Sequence, residues 1–493
     1  MKFLRTSTSP KLPDFHPQTV LRDWHDGHAF RLADAQTGVM VFGATGSGKT
    51  SGPGKHFAIA YLAAGFGGLV LCQKKEECRQ WQEYAAKCGR SEDLVIVDAA
   101  GAWRFNFLDW EASRPEEGGG LSINIVNLLD ELGLAIGGQS ESGDPGSKFW
   151  EDSLHHMNTN LVELALLAGL PVTLPLLRSI VTTAPYTPEQ AADATWKAKS
   201  ACAAIIAEAD KTTANAAAPI RADFEECREY WLTEFPNLSE NTRSIIVLTF
   251  SMLVRPLITR PLRQIFSADT NIKPEDTFNG KIIIINIPVQ EFRLVGRIAN
   301  LAFKYCFQIA VLRRVQPADR MSFLRPVFLW ADEAQQFVTR FDPEYQAVAR
   351  SAGGCTVYLT QNRESFRRAL KNYDAVDSLL GNLQCKVFCQ NAGETNEYAA
   401  RLLGERWMMV SSINVGQQAA AAAMLMQQQG NFNSGLSRAE QRRLFVEPAS
   451  FTTLKRGGPQ CDFQVEAIIY NGGNQFQCGT ELLPYIKLTF NQK

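Results

Sequence analysis

The sequence predicts an α/β protein in which a central, mainly parallel sheet is interrupted by an all-helical region. Three observations carry this. Short continuous apolar runs recur along the chain with helical stretches between them, the pattern of strands covered on both faces by crossover helices. A glycine-rich segment, Gly43-Ala-Thr-Gly-Ser-Gly-Lys49-Thr50, follows the first run. From about Phe149 to Phe266 strand signals give way to helical spacing.

Composition sets the bounds. At about 150 residues per domain, 493 residues suggest two to four domains. The 50 Lys+Arg against 51 Asp+Glu give a net charge of −1. That excludes a globally basic, histone-like binder but leaves room for a local basic groove. With 45% hydrophobic and 20% charged residues, the chain is not of a disordered or collagen-like class. The eleven cysteines are scattered without a C-x-x-C, and the six histidines lie at no zinc spacing. They read as small buried side chains in a reducing compartment. No uncharged apolar run reaches the ~18 residues of a membrane span. The opening MKFLRTSTSPKLPDFHP has no apolar core of a signal peptide. The expectation is a soluble, cytoplasmic protein.

The elements follow in order. Residues 1–37 are polar with Pro10, Pro13 and Pro17, and read as a lead-in lying on the surface of a later domain. Gly38–Val41 is a first strand, with a helix expected from Lys49. Leu69–Cys72 and Leu94–Val97 are the next strands. Pro115–Gly120 and Gly137–Gly146 are loops. His155, Leu161, Leu164, Leu167 and Leu170 recur at helical spacing, and Ala191–Ala218 is rich in good helix formers. Lys281–Ile287, Pro326–Ala331, Cys355–Thr360 and Cys385–Gln390 return to buried strands. Gln417–Gln429 is a low-complexity Gln/Ala/Met loop. Phe463–Tyr470 and Tyr485–Phe490 are late strands. The reading divides the chain at 1–140, 141–275 and 276–493, with the middle segment an all-α insertion.

The chemistry concentrates at the strand ends. Gly43, Ala44, Thr45, Gly46, Ser47, Gly48, Lys49 and Thr50, with Ser51 next, match G-x-x-x-x-G-K-[ST] after a strand and before a helix. Phosphate oxygens need several N–H donors at once, and small residues let the backbone wrap closely enough to supply them. Lys49 is expected on the β- and γ-phosphates of ATP, and Thr50 on Mg2+. Phe328-Leu-Trp-Ala-Asp332-Glu333 is an apolar strand ending in two carboxylates. Asp332 is placed beside the Mg2+ shell, and Glu333 as the base that polarises the attacking water. Gln361, after the next strand, is a candidate γ-phosphate sensor. Arg350, eleven residues earlier, is a candidate arginine finger for a neighbouring subunit.

Taken together these segments resemble the type IV coupling proteins of conjugation and secretion systems, of the TraG/TraD type, relatives of the FtsK/HerA DNA pumps. The resemblance covers about 38–490. It rests on FGATGSGKTSGPGK, FNFLDW at 105–110, the α-insertion, FLWADEAQQF, RSAGGCTVYLTQN and GNLQCKVFCQNAGETNEYAARLLGE. It implies a RecA-like core in a hexameric ring with ATP at the subunit interfaces and DNA in the central channel. The α-domain would engage DNA or relaxosome proteins. Lys49, Thr50, Asp332, Glu333, Arg350 and Gln361 fall on the family's motif positions. Two departures stand out. Gly43 comes too early to leave room for the family's N-terminal transmembrane helices, which points to attachment at the inner membrane through an anchored partner. The family's Asp-x-Lys-Gly-Glu-like segment reads Cys72-Gln-Lys-Lys-Glu76 here, keeping Lys74, Lys75 and Glu76.

Arg313-Arg314, then Arg363, Arg367, Arg368 and Lys371, then Arg438, Arg442 and Arg443 form basic clusters. The second follows Gln361 on an expected helix, a place to couple nucleotide state to a DNA backbone through sequence-independent contacts. Trp103, Trp110, Trp150, Trp196 and Trp231 read as core rather than base-stacking platforms. His155-His156 reads as structural, without carboxylate company. The main expectation is an ATP-driven DNA translocase. The alternatives are a nucleotide-switched recruitment module for a relaxase or effector, and a DNA-processing or defence ATPase on the same core.

Overall fold

The computed structural model describes residues 14–24, 27–114, 118–137, 145–315, 323–416 and 433–493. In chain order, β1 (Val20–Asp23) and β2 (Ala29–Arg31) form a small hairpin. Seven parallel strands follow: β3 (Val39–Phe42), β4 (Gly67–Leu71), β5 (Leu94–Asp98), β6 (Ile282–Asn286), β7 (Val327–Ala331), β8 (Gly354–Thr360) and β9 (Cys385–Phe388). β10 (Glu405–Gly416) and β11 (Asn433–Leu444) pair as a long two-stranded ribbon. β12 (Gln464–Asn471) and β15 (Tyr485–Asn491) rejoin the sheet antiparallel, with the hairpin of β13 (Phe476–Cys478) and β14 (Glu481–Leu483) between them. The nine-stranded sheet has the order β15-β12-β9-β3-β8-β7-β4-β6-β5.

Its strands are apolar runs because helices cover both faces. All of β7 and β8 is buried, as is Ile282–Ile285. Successive side chains point to opposite faces. Val39 and Val41 pack in one core with Phe57, Tyr61 and Trp81 of the helices Lys55–Ala63 and Lys75–Lys87. Met40 and Phe42 face the other core, which continues into the helical region. That region fills the connection from β5 to β6. It starts with Phe107–Ala112 and Ser122–Gly137, well before Phe149, and ends with Leu262–Phe266. The early start has a local cause: Asn106 caps the first helix by accepting from the Asp109 N–H at 3.4 Å.

Several expectations are corrected. Residues 20–31 are not a surface lead-in, because Trp24 and Phe30 are fully buried and stacked at 5.5 Å. The β10–β11 ribbon was missed, since Asn433–Leu444 reads NSGLSRAEQRRL, with no apolar alternation. The Gln417–Gln429 tract lies outside the described residues. His155 and His156 do have carboxylate company: His155 Nδ1 lies 2.5 Å from Asp130 and His156 Nε2 3.6 Å from Glu234. The cysteines are all free thiols, eight of them buried. Trp110, Trp196 and Trp231 are buried and Trp103 partly so. No helix among the described residues is long and apolar enough to cross a membrane.

Candidate functional site

β3, β8 and β7 are neighbours, in a register that sets Phe42 level with Thr360 and Ala331 level with Tyr358. Their carboxyl ends therefore present Gly43, Gln361 and Asp332 side by side. In parallel α/β sheets this is where ligands bind.

The loop after β3 is tied to both neighbouring strands. Gly43 N–H donates to Thr360 O at 3.1 Å, and Ala44 N–H to Gln390 O at 3.0 Å. Gly46 and Gly48 have φ of 75° and 80°, a conformation that side chains disfavour. A Cβ on Gly43 would stand 2.3 Å from Ser47 Oγ, and one on Gly48 2.4 Å from Val465 Cγ2. The helix does not begin regularly at Lys49. Gly54 N–H reaches back five residues to Lys49 O at 2.9 Å, Pro53 has no N–H, and Gly52 leaves helical geometry at ψ −106°. Thr50–Gly54 is thus one wide turn, and the α-helix runs from Lys55.

The residues fit a nucleotide and Mg2+. Ser47 Oγ is fully buried and has no hydrogen-bond partner among the described residues, so the loop keeps an unspent polar group facing its own turn. Thr50 Oγ1 donates to Asp332 Oδ2, which brings together the hydroxyl and the carboxylate, two oxygen donors suited to a hard cation. Ser51 is engaged elsewhere: its hydroxyl accepts from Gln492 Nε2 at 2.6 Å.

The two acidic residues sit in opposed environments. Burial pushes the Asp332 carboxyl up, against the pull of Lys49 and the Thr50 hydroxyl. Burial also acts on Glu333, but Lys49, with help from Gln335, holds its carboxyl below the ordinary value. Lys49 Nζ is 3.1 Å from Glu333 Oε1, and both side chains are only 10% exposed. The other oxygen of Glu333 accepts from Gln335 at 2.8 Å and Gln361 at 3.4 Å. Glu333 has a left-handed backbone, φ 53°, uncommon for a residue with a side chain and frequent at functional sites. Gln335 is fixed by Thr360 Oγ1 at 2.7 Å, and the Gln361 carbonyl by Asn391 Nδ2 at 2.6 Å.

Lys49, Thr50, Asp332, Glu333 and Gln361 are thus brought together. Arg350 is not. It is exposed in the turn Ala349–Ala352, before the amino end of β8. Seven strand residues, about 20 Å at 3.3 Å each, separate it from Gln361. The basic cluster after Gln361 is placed among acidic neighbours. It lies on the helix Arg363–Leu370, with Lys371 at its end. Arg363 pairs with Asp377 and lies over the Tyr398 ring; Arg367 pairs with Glu394 at 2.9 Å and lies over Tyr373. Neighbouring helices bring to these two arginines acids that sequence order does not show. Arg368 is exposed. Arg313 pairs with Glu111, and Arg442 with Glu405 over the Trp407 ring.

Sequence reasoning missed Gln335, Asn391 and Glu77. Gln335 was within reach, two residues beyond Glu333. In Lys74-Lys75-Glu76-Glu77 it is Glu77, not the exposed Glu76, that turns inward. It accepts from the Gln73 N–H at 2.9 Å, and burial and then Asp332 push its carboxyl far up.

Comparison with known proteins agrees with this arrangement. The family described as the TraM recognition site of TraD and TraG matches residues 326–456. No curated protein matches the sequence. Among solved structures, the bacterial conjugative coupling protein TrwBdeltaN70 superposes with a TM-score of 0.59 at 14% identity, over 97% of this chain and 89% of that one. TrwB in complex with the non-hydrolysable ATP analogue ADPNP gives 0.58 at 15% identity, covering 97% and 90%. TrwB in complex with ADP and Mg2+ gives 0.58 at 14%, covering 97% and 89%. The chain has the RecA-like fold of TrwB, and the resemblance to the type IV coupling proteins is borne out by the fold and by the matched family.

Proposed function

We propose that this chain is the ATP-hydrolysing coupling protein of a conjugation or type IV secretion system. In this reading it recruits DNA with its attached protein and drives it toward a secretion channel. One observation carries it: Lys49–Glu333 and Thr50–Asp332 stand as two cross-strand pairs at the carboxyl ends of β3 and β7. The first pair joins a phosphate-binding group to the hydrolytic carboxylate, and the second brings together two oxygens suited to a metal.

The loop N–H groups, the Ser47 hydroxyl and Lys49 hold the triphosphate of ATP. Thr50 and Asp332 would hold Mg2+, which would supply charge neutralisation at the triphosphate. Glu333, whose carboxyl Lys49 holds below the ordinary value until phosphate draws the lysine away, accepts a proton from water as the water oxygen bonds to the γ-phosphorus. The bond to the β–γ bridging oxygen breaks, leaving ADP and phosphate. Gln361 and Gln335, both donating to Glu333, fix the direction in which that carboxylate points. Arg350 acts on the site of the next subunit in a ring, a hexamer by analogy with the family. The position of Arg350 before β8, while its own phosphate loop lies beyond the carboxyl end of β3, favours action in trans. The 141–275 segment is assigned to recognition of DNA or relaxosome proteins, and attachment at the membrane to an anchored partner.

The test is ATP turnover of the purified chain with and without single- and double-stranded DNA, with Lys49→Ala as background. Several-fold, salt-sensitive stimulation by DNA that is lost in Lys49→Ala supports the motor. Turnover indifferent to DNA, with a relaxase co-purifying, supports the recruitment module instead.

A further inference from the structure

The stretch from Glu333 to Arg350 crosses a buried polar hub. Asp342 accepts from Lys304 Nζ at 2.5 Å, Gln308 Nε2 at 3.0 Å, Tyr358 Oη at 2.6 Å and the Thr339 N–H at 2.6 Å. Lys304 also donates to Phe337 O at 2.8 Å. The Lys304 and Asp342 side chains are each 1% exposed. Arg340, two residues ahead of Asp342, pairs with Glu131 of the helix Ser122–Gly137 at 2.6 Å.

The partners come from elements that frame the site. Lys304 and Gln308 stand on the helix Val289–Leu312. Tyr358 stands on β8, three residues before Gln361. Asp342 opens the helix Asp342–Val348, which leads straight into the turn bearing Arg350. A buried ion pair gives little stability over a well-packed apolar replacement. A bonded polar network does fix geometry, and in this one a single hub atom, Gln308 Oε1, has no partner among the described residues. Here it fixes the path from a hydrolytic carboxylate to an exposed arginine at the far end of the sheet.

We propose that Lys304, Asp342 and Tyr358 are positioning residues that hold the segment 337–350 so that Arg350 is presented to the neighbouring subunit's site. This rests on the trans reading of Arg350. The hub then makes one subunit's arginine placement depend on the strand that carries its own Gln361.

The experiment is a double-mutant cycle on the assembled full chain. Asp342→Asn keeps the shape and strips Lys304 of its counter-charge. Tyr358→Phe removes one donor and keeps the ring, and serves alone if the first variant does not fold. Tyr358→Phe is expected to lower kcat about five-fold, the worth of one hydrogen bond, with nucleotide Kd unchanged. Arg350→Ala is expected to lower kcat about 10³–10⁵-fold, the range of arginine fingers. In the Arg350→Ala background, Tyr358→Phe should then cost nothing further. Losses that multiply would overturn the positioning role while leaving the arginine in place. So would a Tyr358→Phe protein with wild-type kcat. Unchanged turnover in Arg350→Ala would overturn the trans arginine and this inference with it.

Discussion

Replacing Glu333 by Gln should move turnover and nucleotide affinity in opposite directions. Lys49 holds Glu333 at 3.1 Å in a site where both side chains are 10% exposed, and it must let go to reach phosphate. A hydrogen bond between charged groups is worth about 1.5–3 kcal/mol, against about 1 for a neutral one. The amide therefore retains Lys49 less strongly by about 0.5–2 kcal/mol. It also fits its neighbours worse. Lys49 donates to one oxygen of Glu333, and Gln335 and Gln361 donate to the other, so either orientation of the amide turns its NH2 toward a donor. Both effects free Lys49. Affinity for a non-hydrolysable ATP analogue, read by calorimetry, should rise about 2–30-fold. Phosphate release should fall about 10²–10⁴-fold with the base gone. A Glu333→Gln protein that binds nucleotide more weakly would refute the argument that Lys49 is shared between Glu333 and phosphate. Intact turnover would refute Glu333 as base.

Other outcomes follow from single observations. Gly46→Ala should cost about 1–2 kcal/mol for its left-handed backbone, because nothing among the described residues stands within 4 Å of the added Cβ. Gly48→Ala should cost more and weaken nucleotide binding as well, since its Cβ meets Val465 at 2.4 Å and the Arg456 carbonyl at 2.9 Å; urea midpoints and the same titration separate the two. Lys386 is 3% exposed, and burial brings its ammonium down to about 8 from 10.5. Between these values the unfolded chain binds more protons than the native one, so stability rises with pH from 8 to 10.5, and below 8 the penalty is complete. Lys386→Met should therefore flatten that rise in chemical denaturation, while losing the hydrogen bond from Lys386 Nζ to Leu383 O. On the helix Arg363–Leu370, Arg368→Ala should lower the slope of log affinity for DNA against log salt by about 1. Arg363→Ala, which loses Asp377 and the Tyr398 ring, should instead lower the denaturation midpoint.

The sheet was legible where burial on both faces forces an unbroken apolar run. VMVF, VFLWA and the isoleucines of β6 have no polar position to blur their limits. Legibility failed where a strand has solvent on both sides. The β10–β11 ribbon places Trp407 and Met409 67% and 58% exposed, so nothing in its polar second strand had to alternate. It failed as well at β1 and β2, where two aromatic anchors carry a segment otherwise polar. The wide turn after Lys49 was hidden because propensity alone extends a helix through Thr50 and Ser51. Pro53 and the pressure of Val465 on Gly52, whose added Cβ would stand 2.9 Å away, decide otherwise.

The site divides by the same logic. Groups that act through local sequence order are readable: the phosphate loop, the acidic pair and Gln361 each sit at the end of a strand whose neighbours follow from a parallel sheet. Groups defined by a contact across the chain are not. Arg363 and Arg367 look like a free basic face until Asp377 and Glu394 are folded against them. Lys304 and Gln308 are an intermediate case. They are two polar residues four apart, on one face, in a helix whose surroundings from Ile298 to Val311 are buried almost throughout. Such a pair has to meet an acceptor, since a buried ammonium without one is too costly to keep. The sequence therefore contained the demand for a partner in that helix. Only the packing of the helix against the stretch after Glu333 could say that the partner is Asp342.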